Sequence, residues 1–259
     1  MAEAVRQRQE RLLVLLDEQG EFDVPALVRA LGASEATLRR DLGVLEEQGL
    51  LVRTFGGARS IRSASLVSRT FTEKRRRMRK EKEGIAAAAA ALVESGMVVA
   101  LDSGTTAWRL AVALREKAPL TIITTALAAV EELGPVAGVK VELAGGTFRP
   151  ANLDFVGPTA IARLATMRAD IAFVGVDSLV PGRGGFSADA DSAAIAGALA
   201  HCADRRVVVM DHSKFEAQGC HLVVAAKEID YLITDAGIGA RTRAALAGEP
   251  YKLLVGQDG

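Results

Sequence analysis

The sequence predicts an α/β protein of two domains, an N-terminal winged helix-turn-helix joined to a Rossmann-like, mostly parallel α/β domain. The first observation behind this prediction is a helix, a turn at Gly32 and a second helix that opens with small and polar residues. The second is that short apolar segments alternate with helical ones from Gly84 onward. A chain of 259 residues, 49% apolar, is long enough for two cores. We place the domains at 1–58 and 84–259, with a basic linker at 59–83.

The first helix is predicted to be amphipathic because leucines recur along it at Leu12, Leu13, Leu15 and Leu16. Asp23 can cap a second helix, whose first turn tolerates Pro25 because the missing N–H is not needed there. The apolar face of that second helix is formed by Leu27, Val28 and Leu31.

Ser34 is predicted to cap the third helix, because its hydroxyl can accept a hydrogen bond from a free N–H of the first turn. Leucines at spacings of four and three bury one face of this helix: Leu38, Leu42 and Leu45. In a helix-turn-helix, the N-terminal residues of such a helix enter the DNA major groove. The polar residues left for the exposed and flanking faces are Ser34, Glu35, Thr37, Arg39, Arg40 and Asp41.

A wing is predicted after the third helix, with a short strand at 50–53 and a turn at 55–58. The recognition-helix pattern and the wing together favour DNA binding over the alternative, a small helical bundle used for protein contact. The predicted partner is double-stranded operator DNA. The residues predicted to contact it are Ser34, Glu35, Thr37, Arg39, Arg40 and Arg53.

The net charge of zero hides an uneven distribution. Residues 1–58 carry 7 basic and 10 acidic side chains, whereas residues 59–82 carry 10 basic and 2 acidic ones. This basic cluster either contacts DNA phosphates or forms a solvated linker helix, and the sequence leaves both open. Its main members are Lys74, Arg75, Arg76, Arg77, Arg79, Lys80 and Lys82.

The second domain shows the strand and helix alternation that predicts a mostly parallel sheet covered on both faces. Helices are expected at 107–117 and 126–133. Ligands bind beyond the carboxyl ends of the strands in such sheets. The strands are expected at 97–101, 120–124, 139–143, 171–175, 206–210 and 231–234.

Polar loops follow several of these strands. The loop at 102–106 offers hydroxyls, a glycine and free helix N–H groups, which suit a phosphate or another anion. Gly145 and Gly146 either allow close approach of the backbone or simply make a turn. The sequence has no Rossmann or Walker glycine motif. The effector-binding residues predicted from these loops are Asp102, Ser103, Gly104, Thr105, Thr106, Gly145, Gly146 and Lys214.

The remaining features exclude other classes of protein. No apolar segment is long enough to span a bilayer, and residues 1–4 lack the pattern of a secretion signal, so a cytoplasmic protein without a membrane partner is expected. Cys202 and Cys220 are interpreted as ordinary thiols. No metal and no cofactor are predicted, because no recognisable ligand set is formed by His201, His212 and His221.

The chain resembles the DeoR family of transcriptional regulators along nearly all its length. The N-terminal motifs that carry the resemblance are SEATLRRDL at 34–42, LEEQG at 45–49 and RTFGGA at 53–58. In the second domain they are LDSGTT at 101–106, AGGT at 144–147, VGP at 156–158, ADIAFVGV at 169–176, DHSKF at 211–215 and ITD at 233–235. Several separate motifs in the right order make the resemblance specific.

The resemblance implies a bacterial regulator, usually a repressor. Its helix-turn-helix would bind operator DNA, and its second domain, similar to sugar-phosphate isomerases, would sense a small phosphorylated metabolite such as a sugar phosphate. It also implies a homo-oligomer, which suits paired half-sites. The family's anion loop falls on residues 102–106 and its lysine on Lys214.

Departures from the family pattern lie in the second domain. Thr125 stands at a pocket position that usually holds asparagine, Ser178 replaces a glycine, and the helix start at Ser192 lacks the usual Glu and Lys-Arg pair. We count Thr125 among the effector-binding residues, and the remaining hydroxyls can hold the phosphate of a smaller or differently shaped ligand.

Two alternatives stay open at this point. One is an orphan DNA-binding regulator whose degenerate pocket serves only oligomerisation. The other is a sugar-phosphate isomerase or deaminase fused to a DNA-binding module, with Asp102 and Lys214 as the chemical groups. The absence of an acid–base pair with a defined spacing argues against the enzyme, so no catalytic residue is predicted.

Overall fold

The computed structural model describes residues 2–19, 21–48, 50–54, 56–60, 69–215 and 217–257. The chain divides into two compact units, Met1–Thr72 and Glu73–Gly259. The predicted linker at 59–83 contributes to both units. Its residues 61–68 lie outside the described part of the chain, whereas residues 79–83 belong to a helix of the second unit.

Within its described residues, the first unit contains three complete helices, the start of a fourth and a small antiparallel sheet. The helices are α1 (Ala2–Gln19), α2 (Val24–Leu31) and α3 (Glu35–Glu47), and the strands are β1 (Glu21–Asp23), β2 (Leu51–Thr54) and β3 (Gly57–Ser60), in the order β1-β3-β2. The predicted apolar faces are confirmed, since one core buries Leu12, Leu16, Leu27, Leu38, Leu42 and Leu45. This arrangement confirms the winged helix-turn-helix.

Two details of the first unit differ from expectation. Gly57 and Ala58, predicted in a turn, lie in β3, where Gly57 pairs with Thr54; Phe55 lies outside the described residues. Strand β1 was not predicted, because three residues are too short to show a period. It pairs with β3 and so extends the wing to three strands.

The second unit is built on a seven-stranded parallel sheet in the order β15-β14-β12-β9-β4-β5-β6. This confirms the mostly parallel sheet, and every predicted strand is present. The strands of the unit are β4 (Val98–Leu101), β5 (Leu120–Thr124), β6 (Val139–Leu143), β7 (Thr147–Arg149), β8 (Asp154–Val156), β9 (Ala169–Gly175), β10 (Ser178–Val180), β11 (Gly184–Ser187), β12 (Ala203–Val209), β13 (His221–Ala225), β14 (Tyr231–Asp235) and β15 (Lys252–Gly256).

Helices cover both faces of this sheet. Alternate residues of β4 enter different cores: Val99 and Leu101 pack with α5, α6 and α7, whereas Ala100 packs with α8, α9 and α10. Helix α4 (Arg69–Arg76) crosses the boundary between the two units. The others are α5 (Arg79–Ala90), α6 (Thr105–Leu114), α7 (Leu127–Leu133), α8 (Pro158–Leu164), α9 (Ala190–His201) and α10 (Ala240–Leu246).

The strand order reverses at β4. From β4 the chain proceeds outward through β5 and β6, and then returns to place β9 on the other side of β4. Parallel sheets bind ligands in the crevice at such a switch point, outside the carboxyl ends of the strands. The loop after β4, residues 102–104, lies at that position.

Candidate functional site

The start of α3 is fixed by its cap. The Thr37 N–H donates to Ser34 Oγ at 3.3 Å, and the two hydroxyls lie 2.8 Å apart. One turn later, Arg39 Nε and Nη2 donate to Glu35 Oε1 at 2.9 and 2.6 Å. Both side chains of this pair are about half exposed, so the pair presents a preformed guanidinium on the helix surface.

Arg40 points away from the core of the first unit. At 100° per residue it lies opposite Leu38 and Leu42, on the same face as Ala36 and Gly43. A Cβ added to Gly43 would meet open space. The small residues on both sides of Arg40 leave this face free to enter a groove.

Asp41, which was placed with the polar residues of the exposed and flanking faces, lies on the flank of the leucine stripe and is buried. It is 4% exposed, and its carboxylate accepts hydrogen bonds from Arg8 Nε at 2.6 Å and Gln9 Nε2 at 3.1 Å. Position 41 borders the leucine stripe on the side that meets α1. Asp41 therefore ties α1 to α3.

Arg53, the predicted contact on the wing, is exposed on β2. Its N–H donates to Glu46 Oε1 at 3.3 Å, which joins the strand to the end of α3. The predicted DNA contacts thus lie on α3, at its N-cap and on β2. Thr37 is half-buried, and the other predicted contacts are exposed.

At the switch point of the second unit, Asp102 joins the two central strands. Asp102 Oδ2 accepts the N–H of Gly175 at 2.9 Å, and Oδ1 accepts the N–H of Ser103 at 2.7 Å. Burial raises the pKa of Asp102 to about 7, with the two backbone N–H groups opposing the rise and the nearby Asp154 adding to it. This carboxyl group therefore changes charge near neutral pH.

Arg149 and Asp154 were missed by the sequence reasoning. Asp154 is 1% exposed and accepts Ser103 Oγ at 2.9 Å. Arg149 binds it with two hydrogen bonds, Nε to Oδ1 at 2.9 Å and Nη2 to Oδ2 at 2.7 Å. The hairpin of β7 and β8 thereby holds the hydroxyl of the anion loop, a contact across 51 residues that no local pattern shows.

Arg149 also reaches the start of α9. Its Nη1 donates to Asp189 Oδ1 at 2.6 Å and its Nη2 to Ser192 Oγ at 2.9 Å. Asp189 caps α9 by accepting the Ser192 N–H. Ser192 stands where the family usually has its Glu, and the carboxylate at this helix start comes instead from Asp189, three residues earlier.

The anion loop leads into α6. Gly104, with φ of 101°, is the N-cap of α6, and no side chain caps that helix. The backbone of Trp108 closes the first turn by donating to the Gly104 carbonyl at 2.9 Å. The first N–H groups of α6 are therefore available at the carboxyl end of β4, as expected for residues 104–106.

The other predicted sensor residues have mixed roles. Gly146 has φ of 114°, and a Cβ there would lie 2.5 Å from the Val156 carbonyl oxygen, so its role is close packing of the hairpin; Gly145 borders open space. Thr125 is fully buried, and its hydroxyl has no hydrogen-bond partner among the described residues.

Lys214 follows β12 in a short 3-10 turn, and its Nζ lies 3.4 Å from Asp177 Oδ1. Burial alone would raise the pKa of Asp177, but hydrogen bonds from the Ala188 N–H and Ser187, with the charge of Lys214, hold it below its usual value. Lys214 is about one third exposed, so a ligand can reach its amino group.

A His–Asp pair, also missed by the sequence reasoning, lies at the same edge. His212 Nδ1 and Asp235 Oδ2 are 2.6 Å apart, and the His212 N–H donates to Asp235 Oδ1 at 2.7 Å. This pair fixes the loop that carries Lys214 to the end of β14.

No group of His, Cys, Asp and Glu that could hold a metal occurs among the described residues. No helix in that part of the chain is long and apolar enough to cross a membrane.

Comparison with known proteins agrees with this architecture. Residues 77–236 match the DeoR C terminal sensor domain, and residues 8–64 match the DeoR-like helix-turn-helix domain. Among solved structures, a partial match is ribose 5-phosphate isomerase A from Methanocaldococcus jannaschii, at 20% identity, a TM-score of 0.41, and coverage of 53% of this chain and 55% of that one.

Transcriptional regulators of known organisms resemble the chain over most of its length, and three of them serve as examples. Transcriptional repressor AccR of Agrobacterium fabrum is 32% identical over 96% of this chain and 95% of its own. The HTH-type transcriptional repressor CsqR of Escherichia coli is 29% identical over 97% and 95%. The lactose phosphotransferase system repressor of Lactococcus lactis is 30% identical over 89% and 91%. With its capped recognition helix, wing and sensor domain, the chain belongs to the DeoR family of transcriptional regulators.

Proposed function

We propose that this DNA-binding regulator represses genes of carbohydrate or related metabolism, and that a phosphorylated sugar bound at the edge of the sensor sheet releases it from its operator. The observation that carries the proposal is the uncapped N-terminus of α6, which lies at the switch point between β4 and β9. Similarity to the lactose phosphotransferase system repressor of Lactococcus lactis supports a sugar-related operon.

The charges at this edge restrict the ligand. Arg149 is already bound by Asp154 and Asp189, so it offers little charge to a second anion. Lys214 and the N–H groups of α6 remain, and together they suit one phosphate group. The carboxylates of Asp102, Asp154 and Asp177 disfavour a second one. We therefore propose a monophosphate whose sugar hydroxyls donate to these carboxylates.

For the DNA, we propose that Arg39, held by Glu35, contacts a base edge, and that Arg40 enters the groove beside it. A bidentate Arg–guanine contact typically contributes about 1–3 kcal/mol of discrimination. Arg53 on the wing is proposed to bind a phosphate, which adds affinity without sequence preference.

The DNA proposal is tested by isolating an operator from random-sequence duplexes with the full chain, and then measuring the affinity of variants. Arg39→Ala is expected to lose preference at one base pair, and Arg53→Ala to weaken binding to all sequences alike. The matched control is Arg168→Ala, an exposed arginine of the second unit. Equal binding by Arg39→Ala and wild type at every position would refute the assignment.

The ligand proposal is tested by calorimetry of the full chain against sugar monophosphates, the corresponding free sugars and inorganic phosphate. Lys214→Met is expected to reduce the affinity for a monophosphate at least about tenfold, since charged hydrogen bonds contribute about 1.5–3 kcal/mol. Binding of a free sugar as tight as binding of its phosphate would contradict the proposal.

We also propose that the chain acts as a homo-oligomer and has no enzymatic turnover. Exposed Leu143 on the edge strand β6 and exposed Phe148 on the adjoining hairpin supply apolar surface for self-association. Light scattering after size exclusion tests the first claim, and a monomer at operator-binding concentrations would contradict it. Conversion of a pentose or hexose phosphate by the full chain would contradict the second.

A further inference from the structure

The last turn of α4, which leads from the first unit into the second, is held against the sensor by two contacts. The guanidinium of Arg75 lies 4.2 Å from the centroid of the Trp108 ring. Lys82 Nζ donates to the carbonyl oxygens of Lys74 at 2.7 Å and Arg77 at 2.6 Å. We infer that Trp108 and Lys82 transmit occupancy of the sensor loop to α4, and through α4 to DNA binding. This inference rests on the proposed sensor site.

Trp108 is attached directly to the anion loop. The backbone N–H of Trp108 donates to the Gly104 carbonyl oxygen. The ring is therefore carried by the first turn of α6, and it moves with the backbone N–H groups that are proposed to bind phosphate. Arg109, the next residue, also lies against the ring, at 4.6 Å, and pairs with Glu83 of α5 at 3.1 Å. A shift of that first turn therefore changes the surface that Arg75 contacts.

Lys82 forms the second contact from inside the sensor. It is 5% exposed, although the sequence grouped it with a cluster that either binds DNA or is solvated. Its ammonium group satisfies carbonyls at the end of α4, which is where a cation is favoured. Burial lowers the pKa of Lys82, while the charge of Asp211 opposes and that of Lys214 adds to this effect. Lys82 is thus electrostatically linked to the loop that carries Lys214, the residue proposed to bind the phosphate.

The contacts of α4 with Trp108 and with Lys82 explain how a ligand bound to the sensor could change the position of α4 and so the affinity for DNA. A phosphate at the α6 N-terminus and Lys214 adds negative charge at the start of the helix that carries Trp108, and beside the loop whose charges act on Lys82. The ligand shifts DNA binding only if it favours one arrangement of α4 over another. The cation–π contact with Arg75 is the exposed and weaker of the two contacts, so it is the one expected to break.

Trp108 is the only tryptophan of the chain, so its fluorescence reports on this contact without a label. In the full chain without ligand, Arg75→Ala is expected to increase acrylamide quenching of Trp108 about twofold, because the ring loses one of the two guanidinium groups that cover it. Arg76→Ala removes the same charge from the same helix and is the matched control. Equal quenching in Arg75→Ala and wild type would overturn the contact.

Coupling to DNA is then measured with the selected operator duplex. By reciprocity, operator binding is expected to change the emission of Trp108 in proportion to occupancy measured by anisotropy, and the change is expected to shrink in Arg75→Ala. Unchanged emission at saturating operator would overturn the inference. Neither measurement requires a sensor ligand. Both therefore test the coupling between Trp108, α4 and DNA binding even if the proposed sugar phosphate is wrong.

The third measurement uses whichever sugar monophosphate binds wild type in calorimetry. Trp108→Leu and Lys82→Met are expected to bind it within about threefold of wild type, but to lose at least about fivefold of its effect on operator affinity. Full release of operator by both variants would overturn the inference. If no sugar monophosphate binds wild type, the proposed ligand fails, and the first two measurements still decide the coupling.

Discussion

Substitution of Arg149 by methionine is expected to destabilise the second unit strongly. The change leaves Asp154, whose side chain is 2% exposed, with only the Ser103 hydroxyl as a partner. Removal of one partner from a buried ion pair typically costs about 3–5 kcal/mol, because a charge remains buried without compensation. For a unit of this size, that loss corresponds to about 6–20 °C in melting temperature.

The chain offers a matched control for this substitution. Arg168 and Asp204 are joined by the same atoms at the same distance, Nη2 to Oδ2 at 2.7 Å, but their side chains are 80% and 53% exposed. Water screens this pair, so Arg168→Met is expected to leave the unfolding midpoint unchanged. Arg149 also bonds to Asp189 and Ser192, so comparison of the two methionine variants sets the loss of a buried network against the loss of an exposed ion pair.

The assay is urea unfolding followed by Trp108 fluorescence, which reports on the second unit alone because Trp108 is the chain's only tryptophan. The double variant Arg149→Met/Asp154→Asn is expected to recover part of the lost stability, since no uncompensated charge remains. A midpoint for Arg149→Met equal to that for Arg168→Met would refute the reasoning.

Three further predictions concern caps, glycines and pH. Ser34→Ala is expected to destabilise the first unit by about 1 kcal/mol through loss of the α3 cap, measured by thermal denaturation. Gly43→Ala is expected to stabilise that unit by about 0.5–1 kcal/mol, because its Cβ meets open space, whereas Gly146→Ala is expected to destabilise the second unit, because its Cβ would lie 2.5 Å from a carbonyl oxygen. Stability of the second unit is expected to fall as pH rises from about 4 to 7, because the folded state, with the pKa of Asp102 raised to about 7, binds more protons there than the unfolded state.

Each of these predictions has a result that contradicts it. An unchanged melting temperature in Ser34→Ala would show that the Thr37 N–H finds another acceptor. If Gly43→Ala and Gly146→Ala destabilised their units equally, the space around each glycine would not determine the effect of an added Cβ. An Asp102→Asn variant that keeps the full pH dependence of wild type would assign the titration to another group.

Local patterns were sufficient to predict most of the fold. The leucine spacing predicted the buried face of α3, and the apolar runs at 120–124 and 139–143 coincide with β5 and β6. The burial of Asp41 could not be predicted from α3 alone, because it depends on Arg8, 33 residues earlier. Strand β15 was not predicted, because no polar loop motif of the kind that marked the other strands lies next to residues 252–256.

The sensor edge was predictable only in part. The loops at 102–106 and 211–215 were identified because each follows a strand and carries polar residues. The network of Arg149, Asp154 and Asp189 was not, because its members lie on a hairpin and at a helix start that have no strand-to-helix pattern. Lys82 was grouped with a charge cluster because sequence shows that it is basic, but does not show the carbonyl groups that enclose it.

The most direct test of the central claim is anisotropy of a selected operator duplex with the full chain, titrated with sugar monophosphates and their free sugars. At least one monophosphate is expected to release the operator, its free sugar is expected not to, and Lys214→Met is expected to lose this response. Release by the free sugar, or release that is unchanged in Lys214→Met, would contradict control of DNA binding through a phosphate at the sheet edge.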